Sequence, residues 1–390
     1  MSRRILALNP WHGGSHQAFL DGWVAHSRHE FTVLPLPAYK WKWRMRHSAV
    51  TFSQQLCDQV RDRASAVPQW DVLFCTDMLG LAEFRGLCPE SVRPLPSIVY
   101  FHENQLTYPT QQDEERDFHF AYSNMTSALA ADSVWFNSDY HRDEFLTALG
   151  VLLRRMPDFG HEESVDQILA KSEIQHPGID ALADGQTAER VERSTERQSE
   201  RPLRIVWASR WEHDKNPELF FAALDELADL NVPFEISVLG ESFRNSPSCF
   251  DAAKRKLSSQ IRHWGFAESR AEYLRILSES DVVVSTARHE FFGISVLEAV
   301  AAGCRPLVPH ALAYPETLGA NVSSFHDGTA AGIARSLADL ATAHTSPRTT
   351  AASSFDDACP NDACPNVERF FWKTRSSELD ASVDRLCKHA

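Results

Sequence analysis

The chain has 390 residues, 43% of them apolar, enough for two domains of ordinary size with full hydrophobic cores. Lys and Arg number 39 against 53 Asp and Glu, and the net charge of −14 argues against a general nucleic-acid coat protein while leaving room for a local basic patch. The 8 cysteines form no CxxC pair and no His/Cys array at zinc spacing, the opening MSRRILALNP is too poor in apolar residues for a signal peptide, and no apolar run approaches the roughly 18 residues of a membrane span, so a cytoplasmic protein with free thiols is expected.

In chain order, residues 4–8 read as a buried strand. Residues 9–16, Asn-Pro-Trp-His-Gly-Gly-Ser-His, follow as a loop opening a helix, with Ser15 as its N-cap. Paired glycines after a first strand let backbone approach a phosphate, although many strand-to-helix turns carry such a pair without a ligand. In residues 39–47 the cations Lys40, Lys42, Arg44 and Arg46 alternate with Trp41 and Trp43, and no acidic residue lies between Phe31 and Cys57. Cations neutralise phosphates and indoles stack on bases at about 1–3 kcal/mol each. The same composition equally fits an amphipathic element with a solvated basic face and inward tryptophans. Strands are expected at 70–75, 97–101 and 134–136, with helices from Asp77, over 116–131 and from Asn137-Ser138. The strand at 97–101 runs into His102-Glu103-Asn104-Gln105. Polar clusters at the C-terminal ends of strands are where open α/β sheets bind ligands, and a hydrogen-bonded loop is the plainer alternative.

Residues 184–201 are charge-rich and nearly devoid of apolar side chains, which marks a linker. The expected division is a first domain at 1–183, a linker at 184–202, a second domain at 203–367 and a final helical segment at 368–390. The second domain opens with a strand at 203–209. Arg210 and Lys215 then lead toward a helix starting at Pro217, a favoured first helical position. Two cations there suit a diphosphate, or are simply solvated. A strand end follows at Val238-Leu239-Gly240-Glu241, and a short strand and turn at 262–266. The most informative stretch is 278–306: a buried strand at 282–284, a polar loop to Glu290, a helix over 292–302, Gly303 as its C-cap and Pro306 beyond. Gly293 at the helix start permits close approach of an anion, and Glu298 lies about two turns beyond Glu290. An ordinary strand-helix unit with two solvated glutamates is the competing reading. A further helix is expected near 329–343, and the doubled Asp-Ala-Cys-Pro-Asn at 357–366 reads as a loop.

The run from Glu290 to Pro306, Glu-Phe-Phe-Gly-Ile-Ser-Val-Leu-Glu-Ala-Val-Ala-Ala-Gly-Cys-Arg-Pro, resembles the E-x7-E element of glycosyltransferase family 4. That resemblance implies an α/β GT-B fold of two Rossmann-like domains facing each other across a cleft, a final helix crossing back onto the first domain, and retaining transfer from a nucleotide sugar. No cofactor and no metal are expected, in keeping with the absence of any Asp-x-Asp pair. It also implies residue roles. Glu290 and His102 meet the donor sugar, while Arg210 and Lys215 grip the diphosphate and leaving charge, and these four form the catalytic set. Gly13 and Gly14 border the diphosphate; Gly240, Glu241 and Trp264 line the nucleotide pocket; Phe292, Gly293 and Ile294 form the helix start; and Glu298 binds the ribose. His12, His16, Glu103, Asn104 and Gln105 face the acceptor.

Five further blocks, Gly-Gly-Ser-His, Lys-Trp-Lys-Trp-Arg-Met-Arg, Tyr-Phe-His-Glu-Asn-Gln-Leu-x-Tyr-Pro, Arg-Trp-Glu-His-Asp-Lys and His-Glu-Phe-Phe-Gly, resemble the tRNA-queuosine α-mannosyltransferase group. The likeness spans nearly the whole chain, with a linker shorter than in the animal members. It implies GDP-mannose as donor and a queuosine hydroxyl in the anticodon of aspartate tRNA as acceptor. Lys40, Trp41, Lys42, Trp43, Arg44 and Arg46 would then hold the anticodon arm. Two other readings stay open: a family 4 enzyme acting on a lipid, glycan or small metabolite, and a non-catalytic nucleotide-sugar-binding protein. Retention of Glu290, Arg210 and Lys215 speaks against the second.

Overall fold

The computed structural model describes residues 2–62, 69–109, 118–181, 201–243, 246–319, 325–345 and 365–389. Residues 184–200 of the expected linker and 357–364 of the doubled motif lie outside the described residues. The chain forms two compact units, one made of Met1–Gly178 with Phe370–Ala390 and the other of Ile179–Arg369. Each is built on one six-stranded sheet.

The first unit contains β1 (Arg4–His12), β2 (Glu30–Pro37), β3 (Val72–Thr76), β4 (Ser97–Phe101), β5 (Ser133–Phe136) and β6 (Ser172–Ile174), in spatial order β2-β1-β3-β4-β5-β6. All pairings are parallel. β3, β4 and β5 are buried along their whole length, as central strands covered on both faces must be. The order reverses direction between β1 and β3, so the ligand crevice of such a sheet lies at the C-terminal ends of those two strands.

Two sequence expectations need correction here. The loop after the first strand is shorter than 9–16. β1 continues to His12, which pairs with Pro37 after an irregularity in register. The helix Gly14–His26 is capped by extended Gly13, not by Ser15, which lies inside it. Gly13 makes this possible, because a Cβ there would fall 2.4 Å from the Ala38 Cβ. The helix after β3 starts at Leu81 rather than Asp77, since Asp77 is occupied in holding the neighbouring loop.

The final helix, Trp372–His389, belongs to the first unit. Its Trp372, Leu379 and Val383 enter a core with Ile5, Phe19, Trp23, Phe74, Tyr100 and Trp135. Buried Asp380 fastens it, accepting from Trp23 Nε1 (2.9 Å), Ser27 Oγ (2.6 Å) and the Arg28 amide (2.9 Å).

The second unit contains β7 (Leu203–Ala208), β8 (Phe234–Leu239), β9 (Ile261–Gly265), β10 (Val282–Val284), β11 (Arg305–Pro309) and β12 (Phe325–His326), in order β12-β11-β10-β7-β8-β9. Here the reversal falls between β7 and β10. Trp207, Phe220, Leu224, Leu227, Val238 and Phe250 fill the core. Pro217 opens the helix Pro217–Asp229, and Gly303 follows the helix Ile294–Ala301 at φ +88°, the left-handed C-cap its sequence position predicts. Among the described residues, no helix is long and apolar enough to cross a membrane.

Candidate functional site

The reversal between β7 and β10 places the loops after those strands side by side, and these loops carry Lys215 and Glu290. Lys215 is buried. Its Nζ lies 3.3 Å from Glu290 Oε2 and 3.1 Å from Asp214 Oδ2, and donates to the His289 carbonyl at 2.8 Å. Thr286 anchors the two loops together, its Oγ1 donating to the carbonyls of Lys215 (2.9 Å) and Asn216 (3.0 Å). Burial opposes the Lys215 charge, yet Glu290 and Asp214 together raise its pKa above the ordinary value. Burial likewise opposes ionisation of Glu290. The ammonium of Lys215 and the amide of Gly293 outweigh it, so the carboxyl titrates below the usual range. Glu290 Oε1 accepts from the amides of Gly293 (3.1 Å) and Phe292 (3.4 Å). The start of the helix Ile294–Ala301 is thus bound to a carboxylate that also holds a lysine. Gly293 sits at φ +83°, and a Cβ there would meet the Tyr314 ring at 2.8 Å. Phe292 is buried and Ile294 half-buried. Arg210 is exposed and pairs with Glu212 at 3.2 Å.

The other residues expected around a nucleotide lie in the same unit. Glu298 is nearly covered, and both its oxygens are engaged, by Arg270 Nη2 at 2.5 Å and by the Tyr273 hydroxyl at 2.9 Å. Gly240 follows β8 at φ +151°, and a Cβ on it would lie 1.9 Å from the Ser209 carbonyl. Only glycine therefore lets the ends of β7 and β8 approach this closely. Glu241 is exposed and its carbonyl accepts from the Trp211 amide at 3.0 Å. Trp264 is half-buried, stacked on Phe221 and edge-on to Trp211.

In the first unit, a second cluster occupies the strand ends. His102, just beyond β4, has its backbone pinned from both sides. Its amide donates to Asp77 Oδ1 (3.1 Å) and its carbonyl accepts from Asn137 Nδ2 (3.0 Å). Its ring lies against that of His16, tilted by 31° with centroids 3.9 Å apart. Burial, then the neighbouring His16 and His141, push the His102 pKa well below the ordinary value, so the ring is neutral. Burial, then the nearby Glu103, raise the Asp77 carboxyl far above its usual range. His12 lies 3.1 Å from Asn9 Nδ2 and 3.5 Å from Asp21. Gly14 adopts φ +54° with open space around it, whereas Gly13 is wedged against Ala38. Glu103 and Gln105 lie within 3.5 Å of each other. Asn104 is fully buried and its Oδ1 accepts from the amides of Leu106 and Thr107, so its side chain organises the loop from within.

The basic aromatic block forms the start of the helix Trp41–Asp62. The structure splits its two tryptophans. Trp41 packs against Phe120 beside Met45 and Met78, whereas Trp43 is 62% exposed. Lys40, Lys42 and Arg46 are exposed, and Arg46 also lies over the Phe120 ring at 4.5 Å. Arg44 is half-buried, donating to the Pro37 carbonyl at 2.9 Å and facing His47 at 2.8 Å.

The chain has relatives among known proteins. Residues 4–179 match the model of the tRNA-queuosine α-mannosyltransferase N-terminal domain, and residues 189–349 match that of group 1 glycosyl transferases. A curated tRNA-queuosine α-mannosyltransferase of Drosophila melanogaster is 37% identical over 321 residues, covering 80% of this chain and 81% of the fly protein. The chain belongs to the tRNA-queuosine α-mannosyltransferase family. It is a glycosyltransferase of hexosyl type, and its fold is GT-B. A sucrose-phosphate synthase from Thermosynechococcus elongatus superposes with a TM-score of 0.67 at 14% identity, covering all of both chains. Anabaena Alr3699/HepE in complex with UDP and glucose does so at 0.61 and 13%, covering 98% of this chain and 99% of its own.

Several residues that hold the expected site residues in place have no role legible in the sequence, although Asp214 and His289 fall within the Arg-Trp-Glu-His-Asp-Lys and His-Glu-Phe-Phe-Gly blocks. Asp214 and His289 flank the Lys215–Glu290 pair, Arg270 and Tyr273 hold Glu298, and Asp77 and Asn137 clamp His102. For Asp77 and Asn137 one signal was available, since each directly follows a buried strand, the position His102 also occupies.

Proposed function

We propose that this protein transfers mannose from GDP-mannose to a hydroxyl of queuosine in the anticodon of aspartate tRNA, with retention of anomeric configuration and without a metal. The observation that carries the donor half is the Lys215–Glu290–Gly293 arrangement at the sheet's reversal point. The likeness to the fly enzyme carries the acceptor half. Lys215, Arg210 and the amides at the start of the Ile294–Ala301 helix stabilise negative charge on the departing GDP. Glu290 remains ionised beside Lys215, orients the mannose hydroxyls and stabilises positive charge developing at the anomeric carbon. Glu298 accepts from the ribose hydroxyls. His102, held neutral, hydrogen-bonds the sugar instead of confronting it with a cation. No residue is assigned as a covalent nucleophile. The acceptor hydroxyl therefore attacks from the face that GDP leaves, its proton passing to the leaving phosphate. In the first unit Lys40, Lys42 and Arg46 neutralise phosphates of the anticodon arm while Trp43 stacks on an unpaired base.

The test is GDP release from GDP-mannose by the purified protein, with queuosine-containing aspartate tRNA or the same tRNA carrying guanine at that position. Release that requires queuosine supports the assignment, as does an α-linked product by NMR. Equal release with both tRNAs removes queuosine as the acceptor, and a β-linked product removes retention.

A further inference from the structure

The Glu298 carboxylate is held in one orientation by two donors from a single neighbouring helix. Tyr273 and Arg270 lie in the first turn of the helix Arg270–Ser278, whose N-cap Ser269 accepts from the Glu272 amide. The Tyr273 hydroxyl donates to Oε2 at 2.9 Å and Arg270 Nη2 to Oε1 at 2.5 Å. The guanidinium lies over the Tyr273 ring, 5.2 Å from its centroid, and also reaches Asp180 at 3.1 Å, so it is itself held on three sides. A glutamate on a helix surface ordinarily samples several rotamers. Here each oxygen spends one lone-pair site on a protein donor and keeps another for a ligand. Two acceptor sites on one fixed carboxylate match the spacing of a vicinal diol.

We propose that Tyr273 and Arg270 are positioning residues that aim Glu298 at the 2′- and 3′-hydroxyls of the donor nucleotide, making this pair the determinant of ribose over deoxyribose. The inference rests on the reading of Glu298 as the ribose contact. It adds that the preference is set from the Arg270–Ser278 helix. Charge-assisted bonds are the strong ones, and a freely rotating carboxylate would forfeit part of their strength on binding.

Titration calorimetry of wild-type protein and Tyr273→Phe, each with GDP and with 2′,3′-dideoxy-GDP, tests this. Wild type should bind GDP at least about tenfold tighter than the dideoxy form. Tyr273→Phe keeps the ring under Arg270. It should weaken GDP about fivefold or more while leaving dideoxy-GDP within about twofold, so the preference collapses. Equal weakening of both nucleotides, or no change in the preference, overturns the positioning role. A wild type that fails to bind GDP, or binds both forms alike, overturns the ribose reading of Glu298 instead. Should Tyr273→Phe not fold, Arg270→Lys, which keeps the charge but loses the planar fork, carries the same comparison.

Discussion

Lys215 is a buried cation with two carboxylates within 3.3 Å, and only one of them, Glu290, is also bound to the start of a helix. Replacing Glu290 by alanine should therefore abolish transfer. The fold should survive, at a cost of about 1–2 kcal/mol, because Asp214 still compensates Lys215. Steady-state rates and thermal melts of Glu290→Ala check both parts. The neighbouring His289 gives a prediction in pH. Burial, then Lys215, lower its pKa from 6.5 to about 4. Between those values the unfolded chain takes up a proton that the folded protein refuses, so stability is lost as pH falls through this window. The melting temperature should drop from pH 7 to pH 5, and by less in His289→Phe than in wild type. The depressed Glu290 carboxyl works the other end of the scale. Its contribution is present above the ordinary carboxyl pKa of 4.5 and is lost as the pH falls below it, so Glu290 adds no pH dependence between pH 7 and pH 5.

Among elements, the helix Trp41–Asp62 shows what was legible in the sequence and what was not. Its cations and indoles alternate with a period of two, the strand period, yet Trp41, Met45, Ala49, Phe52 and Leu56 recur at helical spacing, and the last four are fully or nearly buried. The apolar period decides the element because burial outweighs a surface pattern. It also decides which tryptophan is free to meet a ligand. Trp43→Ala should weaken tRNA binding by about 1–3 kcal/mol at unchanged melting temperature, whereas Trp41→Ala should lower the melting temperature. Lys40→Glu with Lys42→Glu should reduce the slope of log affinity against log salt by about two while GDP binding stays the same. Filter-binding titrations at several salt concentrations measure this. The buried strands were readable as short apolar runs bounded by turns, whereas β2, a half-exposed edge strand with Pro35 and Pro37, carries no such signature. The site was readable where a glycine and a helix start impose a spacing, as at Gly293. It was not readable at Arg270 or Tyr273, single polar residues that only the fold brings to their partner Glu298.

At the scale of the whole molecule, the first unit is completed by the end of the chain. Trp372 fits against Gly22 and Gly178, where a Cβ would overlap its ring at 2.1 and 2.2 Å, and Asp380 satisfies three donors of the first unit at once. Asp380→Ala leaves the buried Trp23 Nε1 and the part-buried Ser27 hydroxyl and Arg28 amide without their acceptor and should cost about 2–4 kcal/mol, read as a shift in the denaturation midpoint. The acidic chain, at −14 overall, gathers exposed cations and an exposed indole at the start of one helix, and its second unit holds a lysine–glutamate pair at a sheet's reversal point. The function proposed from these features is tested most directly by incubating the protein with queuosine-containing aspartate tRNA and GDP-mannose, then weighing the digested nucleosides. A hexose added to queuosine with GDP-mannose, none with UDP-galactose and none with Glu290→Ala is the predicted result. Unmodified queuosine with every donor, while the donor is still hydrolysed, would contradict the tRNA assignment.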